Sequence, residues 1–99
     1  MTVVAKDLAR LRNIGPTIEN RLTEIGVHTR ADLERVGAVN AYLRICANHT
    51  KRALPICYYL YSLQGALMDL HWDDLPEGLK QELRSQATQK ARRRARARR

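Results

Sequence analysis

Large aliphatic residues in this chain recur in three- and four-residue steps, never in alternation, and a Gly or Pro repeatedly breaks the pattern. Ile18, Leu22 and Ile25 follow Pro16 and stop at Gly26. Val39, Tyr42, Leu43, Ile45 and Cys46 follow Gly37, Ile56, Leu60, Leu63, Leu67 and Leu70 follow Pro55, and Leu79 and Leu83 follow Pro76. This is the period of helices with one apolar face, and the breaks fall where helices start and stop. No run alternates apolar and polar residues, and Thr2-Val3-Val4 is too short for a strand. The expected class is all-α, a small bundle of five or six short helices. They are placed at roughly 5–12, 16–25, 29–37, 38–49 and 56–70, with a last one from Pro76, and 56–70 is the central buried helix. A chain of 99 residues has room for one domain with one modest core.

Individual positions sharpen the boundaries. Pro16 suits the first turn of a helix, where its missing N–H costs nothing. Gly26 and Gly37 stand where a helix-ending glycine belongs. Thr29, with Asp32 three residues on, resembles a capping box with Asp in place of Glu. Gly65-Ala66 removes side-chain bulk and would let another helix come close, although the glycine costs up to about 1 kcal/mol of helix propensity. There is no Phe, so Leu, Ile, Val and Ala must fill the core. Tyr58, Tyr59 and Tyr61 sit in the most apolar helix without interleaved cations. They are expected to pack in the core or against a partner rather than to stack on bases.

The net charge of +8 belongs to the end of the chain. Lys90, Arg92, Arg93, Arg94, Arg96, Arg98 and Arg99 make up seven of the 18 basic residues, in a stretch without an acid. Residues 1–89 hold 11 basic against 10 acidic residues and are close to neutral. The sequence therefore divides into a helical domain over 5–84 and an arginine-rich arm over 85–99. From Ser85 onward nothing larger than Ala is left to bury, so the arm is expected to fray or to stay disordered until a polyanion orders it. Such an arm binds phosphates without reading sequence, and neutralising all seven cations would give a salt slope of about −6 on duplex DNA. DNA is expected ahead of RNA, although RNA would satisfy the same arm.

Several chemistries find no support. Cys46 and Cys57 have apolar neighbours and no second pair, as reduced thiols of a cytoplasmic protein would. No secretory leader is read, and no run approaches the roughly 18 apolar residues that span a bilayer. His28, His49 and His71 lack the spacing of metal ligands. Asp73 and Asp74 precede a helix, where acids are solvated or capping. Nucleophile-base, phosphate-loop and dinucleotide patterns are absent. The expectation is a protein that is not an enzyme, with no cofactor, metal, small-molecule substrate or membrane partner.

The most informative stretch is Leu11-Arg12-Asn13-Ile14-Gly15-Pro16, followed by Leu22, Gly26-Val27, Thr29 and Asp32-Leu33. It reads L-x-x-I-G-P-x5-L-x3-G-V-x-T-x2-D-L and resembles helix-hairpin-helix domains, in which two helices meet at a tight glycine turn. Glycine lets backbone approach a phosphate, and the free N–H groups of the following helix point outward at its positive dipole end. Here those donors would be Thr17 and Ile18, with the Thr17 hydroxyl beside them and Arg12 and Arg21 as flanking charge. The candidate nucleic-acid site is therefore Arg12, Asn13, Gly15, Thr17 and Arg21, together with Lys90 and the six arginines of the arm. The same turn also serves simply to pack two helices, and Glu19 and Glu24 would repel phosphate. The usual helix-hairpin-helix sequence has a second glycine where this chain has Asn13. Asn tolerates left-handed backbone, but its side chain would obstruct a close approach.

Gly37-Ala38 with Tyr42-Leu43, then Leu60, Leu63, Gly65-Ala66-Leu67, then Trp72, Leu75, Lys80 and Leu83 extend the pattern. In that order they resemble the C-terminal domain of the TfoX/Sxy family of bacterial competence regulators, over about residues 8–83. The resemblance implies a cytoplasmic bacterial protein connected with DNA transformation and transcription regulation. Better-known members carry a separate N-terminal domain, and a stand-alone copy with an arginine arm is expected here. The competing expectation is an adaptor whose helical body docks on a transcription component, the arm being secondary. A DNA reader should show a basic face around Arg12, Thr17 and Arg21, and an adaptor an exposed apolar patch with a tyrosine.

Overall fold

The computed structural model describes residues 8–49, 55 and 57–97, and all regular structure among them is helical. Five α-helices follow one another: α1 (Pro16–Glu24), α2 (Arg30–Val36), α3 (Ala38–Asn48), α4 (Ser62–Met68) and α5 (Glu77–Ala97). Single turns stand at Leu8–Arg10 and Trp72–Asp74, and a wide π-type turn at Cys57–Tyr61 leads into α4. The class is that expected. Of the helix expected at 5–12 the described part is only the tight turn Leu8–Arg10, which Leu11 closes by donating its N–H to the Leu8 carbonyl at 3.0 Å.

Each boundary has a local cause. Helix α1 ends on Gly26 at φ +83°, with Gly26 N–H donating to Thr23 O and Val27 N–H to Leu22 O, so the last carbonyls are satisfied by the turn itself. Thr29 caps α2 by accepting the Asp32 N–H at 3.1 Å, and the Asp32 carboxylate accepts the N–H of His28 at 3.1 Å. The Thr29 cap is the half expected of a capping box, while the return bond to the Asp32 carboxylate comes from His28, one residue ahead of the cap. Helix α4 ends early, at Met68, because Asp69 turns left-handed at φ +56° and Leu70 N–H folds back onto Gly65 O at 2.8 Å.

The core is one continuous cluster drawn from every helix. Ile18, Leu22, Leu33, Ala41, Ile45, Leu60 and Leu63 are fully buried, with Leu8 and Val27 nearly so. At about 25 cal/mol per Å² of apolar surface, each of the larger side chains contributes roughly 1.5–3 kcal/mol. Tyr59 and Tyr61 are buried, as expected of core tyrosines, whereas Tyr58 lies 48% exposed with its ring edge-on to Tyr59. Met68 is the other large apolar residue on the surface of the described part.

The arm differs from its expectation. Instead of fraying from residue 85, α5 continues to Ala97, which makes it the longest helix. Two facts explain this. Small Ala87, 4% exposed, packs as closely as a larger residue would, so the buried stripe of Leu83 runs one turn farther. Beyond it Lys90 Nζ donates to Asn40 Oδ1 at 3.0 Å, tying α5 to the first turn of α3. The sequence after Gly78 holds only residues that tolerate a helix, most of them strong formers.

Candidate nucleic-acid interface

The hairpin is built around Asn13. Its backbone is left-handed, at φ +72°, as expected of a residue standing where a glycine is usual. Its side chain does not obstruct the outer surface of the turn. It points inward, where Nδ2 donates to Leu70 O at 2.8 Å and to Ser62 O at 3.4 Å, and Oδ1 accepts the Trp72 N–H at 3.2 Å. The bare backbone of Gly65 makes this possible. A Cβ there would lie 2.5 Å from Asn13 Nδ2 and 2.6 Å from Leu70 O. What comes close to Gly65 is thus the hairpin side chain and the chain after α4, not the second helix that the sequence suggested.

Gly15 is extended, with φ −93° and ψ −178°, and an added Cβ would meet nothing within 4 Å. Extended backbone is what the residue before a proline prefers. Neither strain nor internal crowding demands a glycine here. Pro16 supplies no N–H, and the first donor engaged in α1 is Glu19, to Gly15 O at 3.0 Å. The N–H groups of Thr17 and Ile18 belong to the first turn, which has no acceptors of its own. Thr17 is exposed.

The flanking charges are less open than the sequence implied. Arg12 pairs with Asp69 at 3.5 Å, in solvent. Arg21 is paired with Glu24 at 3.4 Å, and its Nε is buried without a hydrogen bond. Glu24 also meets His49 Nε2 at 3.1 Å, which draws it toward α3 and away from the hairpin. Arg30 donates to Leu67 O at 3.0 Å, so Arg12, Asn13 and Arg30 gather at the C-terminal, negative end of α4. The structure brings Arg12, Asn13, Gly15 and Thr17 together and places Arg21 one turn along α1.

Lys90, Arg92 and Arg93 stand elsewhere, on α5, where Arg92 and Arg93 are exposed and Lys90 is half-buried against Asn40. Arg94 and Arg96 lie on the same helix, and Arg98 and Arg99 lie outside the described residues. After Glu82 no acid follows on α5. The two halves of the candidate site therefore rest on different supports, the hairpin on the end of α4 and the arm on α3.

Two residues organise this arrangement: Asn40, which escaped the sequence reading, and Lys80, which entered it only as part of the family pattern. Asn40 donates to Val36 O at 3.0 Å while accepting from Lys90, and so fixes the corner between α2, α3 and α5. The one sign of it was an Asn among apolar residues in the first turn of a helix. Lys80 is only 14% exposed and donates to Asp73 O at 3.2 Å, with its ammonium 5.9 Å from the Tyr61 ring centre. It thereby holds Asp73 in the turn ahead of α5. His71 Nδ1 accepts the Asp73 N–H at 3.2 Å, so it too is a capping group.

Titration is perturbed away from the interface. Hydrogen bonding from the His28 backbone, then Arg35 and Thr29, holds Asp32 below the usual carboxylate range against a raising effect of desolvation. Burial pushes the Cys46 thiol up, opposed by its contact with Tyr42, and burial raises the Tyr42 hydroxyl as well. A thiol so placed stays protonated and unreactive at neutral pH. Among the described residues no three of His, Cys, Asp and Glu gather as metal ligands, and no helix is long and apolar enough to cross a membrane.

Fold and surface together define a small all-helical module with a glycine-proline hairpin and a cationic helical extension. The chain belongs to the TfoX C-terminal domain family, whose model matches residues 4–87. It is similar to an uncharacterized protein from Listeria monocytogenes in a triclinic crystal form, at 36% identity and a TM-score of 0.70, over 78% of this chain and 84% of that one. A Listeria monocytogenes protein of unknown function in a tetragonal form matches at 36% identity and a TM-score of 0.72, over 79% and 93%. Among curated proteins no significant relative was found.

Proposed function

We propose that this protein is a non-enzymatic, nucleic-acid-binding regulator of the kind its family implies, acting in DNA transformation competence and transcription in the cytoplasm. The observation that carries the reading is α5: a helix anchored to the body by Leu83, Ala87 and Lys90 that ends in arginines with no intervening acid. Cations on a structured support attract a polyanion from every direction the helix faces, and neutralised phosphates release counterions. The hairpin contributes orientation through the Thr17 and Ile18 N–H groups, with Gly15 leaving room for a phosphate. Asn13 shapes that turn from within, and Arg12 and Arg21 supply secondary charge.

Two variants test the division of labour, read by fluorescence anisotropy of labelled duplex DNA. Replacing Arg92, Arg93, Arg94 and Arg96 with Gln keeps helix propensity and is expected to remove most of the affinity. Gly15→Val fits the chain's own space and is expected to weaken binding by a few-fold while the thermal melt moves little. Unchanged affinity in the Gln variant overturns the reading.

A second reading has one observation in its favour. Tyr58 and Met68 are exposed, and tyrosine and methionine are enriched at protein interfaces. In that case the body docks on a transcription component, and substitution of Tyr58 rather than of the arginines abolishes function.

A further inference from the structure

We infer that the end of α5 is a groove-reading device: residues 91–97 enter the major groove of duplex DNA as a preformed helix. This rests on the nucleic-acid reading above and goes beyond it, because a disordered arm would bind any polyanion by charge alone.

Leu83 and Ala87 are buried against the body, and Lys90 bonds to it through Asn40. Position 94 stands seven residues beyond Ala87 and eleven beyond Leu83, so it continues the same face. There the sequence changes from apolar to arginine. Ala91, Arg92 and Arg93 are exposed, and successive positions turn by about 100°, so positions 90, 92, 93, 94 and 96 occupy more than half the circumference. Cationic positions therefore fall both on the face that continues the buried stripe and on the faces that do not.

A partner with one flat surface neutralises one side of such a helix and leaves the other unpaired. A groove with phosphates on both walls reaches all of it. The major groove of B-form DNA is wide enough for an α-helix, whereas that of A-form RNA is too deep and narrow to admit one. Seven residues past Lys90 make about 10 Å of helix, comparable to the depth of that groove. Because Asn40 and Ala87 already hold the helix, little ordering entropy remains to be lost on binding, unlike a segment that folds as it binds.

The test separates helix from charge. Ala91→Pro keeps every cation but removes a helix hydrogen bond just where α5 leaves the body. Affinities of the full chain and this variant are measured for duplex DNA, single-stranded DNA with as many phosphates, and duplex RNA. Guanine N7 methylation in the bound DNA duplex is read in parallel with the native chain alone, so that the result does not depend on the variant. The expected result is a drop of about tenfold for the variant on duplex DNA, near-equal binding of single strands, weaker native binding to duplex RNA, and protection of N7 in the major groove. Equal duplex affinity for both proteins, or N7 left fully reactive, overturns groove entry while leaving charge-driven binding intact. Failure of the native chain to bind duplex DNA at about 50 mM salt overturns the nucleic-acid reading itself and groove entry with it.

Discussion

Asn13 fills the space that a side chain at position 65 would occupy: its amide nitrogen lies where it would be 2.5 Å from a Cβ on Gly65. The hairpin and the end of α4 are thus a single mechanical unit, closed by one amide that donates to Leu70 and Ser62 and accepts from Trp72. Each member should be costly to change. Asn13→Gly keeps the left-handed backbone but abandons three hydrogen bonds, and is expected to lower stability by about 2 kcal/mol in chemical denaturation. Gly65→Ala should cost at least as much, because the Leu70 carbonyl on its other side is backbone and yields little. The double variant should cost less than the sum, with a coupling of about 1 kcal/mol, since removing Asn13 frees half of the crowded space. Strict additivity would contradict the shared site.

The cap of α2 sets a pH dependence. Asp32 has its folded pKa depressed, first by the His28 N–H, so its contribution is present above the ordinary carboxylate range and fades as pH falls through the lowered value. Stability measured from pH 7 down to pH 2 should therefore decline at the acid end. Asp32→Asn should lose part of that decline, because the amide cannot titrate. Thr29→Ala removes the 3.1 Å cap bond and should cost about 1 kcal/mol at pH 7.

Packing of α5 can be tested without touching its charge. Leu83 is 4% exposed, and Leu83→Ala is expected to cost about 2–4 kcal/mol in equilibrium unfolding, with the helix loosened from α3. Ala87→Asp buries an unpaired carboxylate in the same stripe and should be worse still. If both variants melt like the native chain, α5 is not part of the folded body.

Asn40→Leu separates anchoring from affinity. It deletes the acceptor of Lys90 and the donor to Val36 while leaving an apolar side chain of similar size. Amide exchange on α5 beyond residue 87 is expected to speed up, with core amides of α3 unchanged. Exchange unaltered along α5 would show that the Lys90 contact does not hold the helix.

Much of this fold was legible because helix ends carry local signals. Pro16, Gly26, Thr29 and Gly37 each mark a boundary by backbone chemistry that neighbouring residues suffice to reveal. What escaped depended on distant partners. Asn13 was recognised as a left-handed residue, but the acceptors that turn its side chain inward lie 49 and 57 positions away. The arm was expected to fray because a stripe of Leu ends at Leu83, yet Ala87 buries well against a close neighbour and Lys90 finds Asn40 50 residues back. Charge counts gave Arg12 and Arg21 to a phosphate, whereas Asp69 and Glu24 already meet them, one across the fold and one a turn away.

Whether the cations of α5 bind duplex nucleic acid is decided by the salt dependence of binding by the full chain. Anisotropy titrations of a labelled DNA duplex between about 50 and 200 mM salt should give log-affinity falling linearly with log salt, with a slope near −6 if all seven cations of residues 90–99 are neutralised. A flat dependence, or no binding at the lowest salt, would contradict that reading and favour a protein partner at the exposed Tyr58 instead.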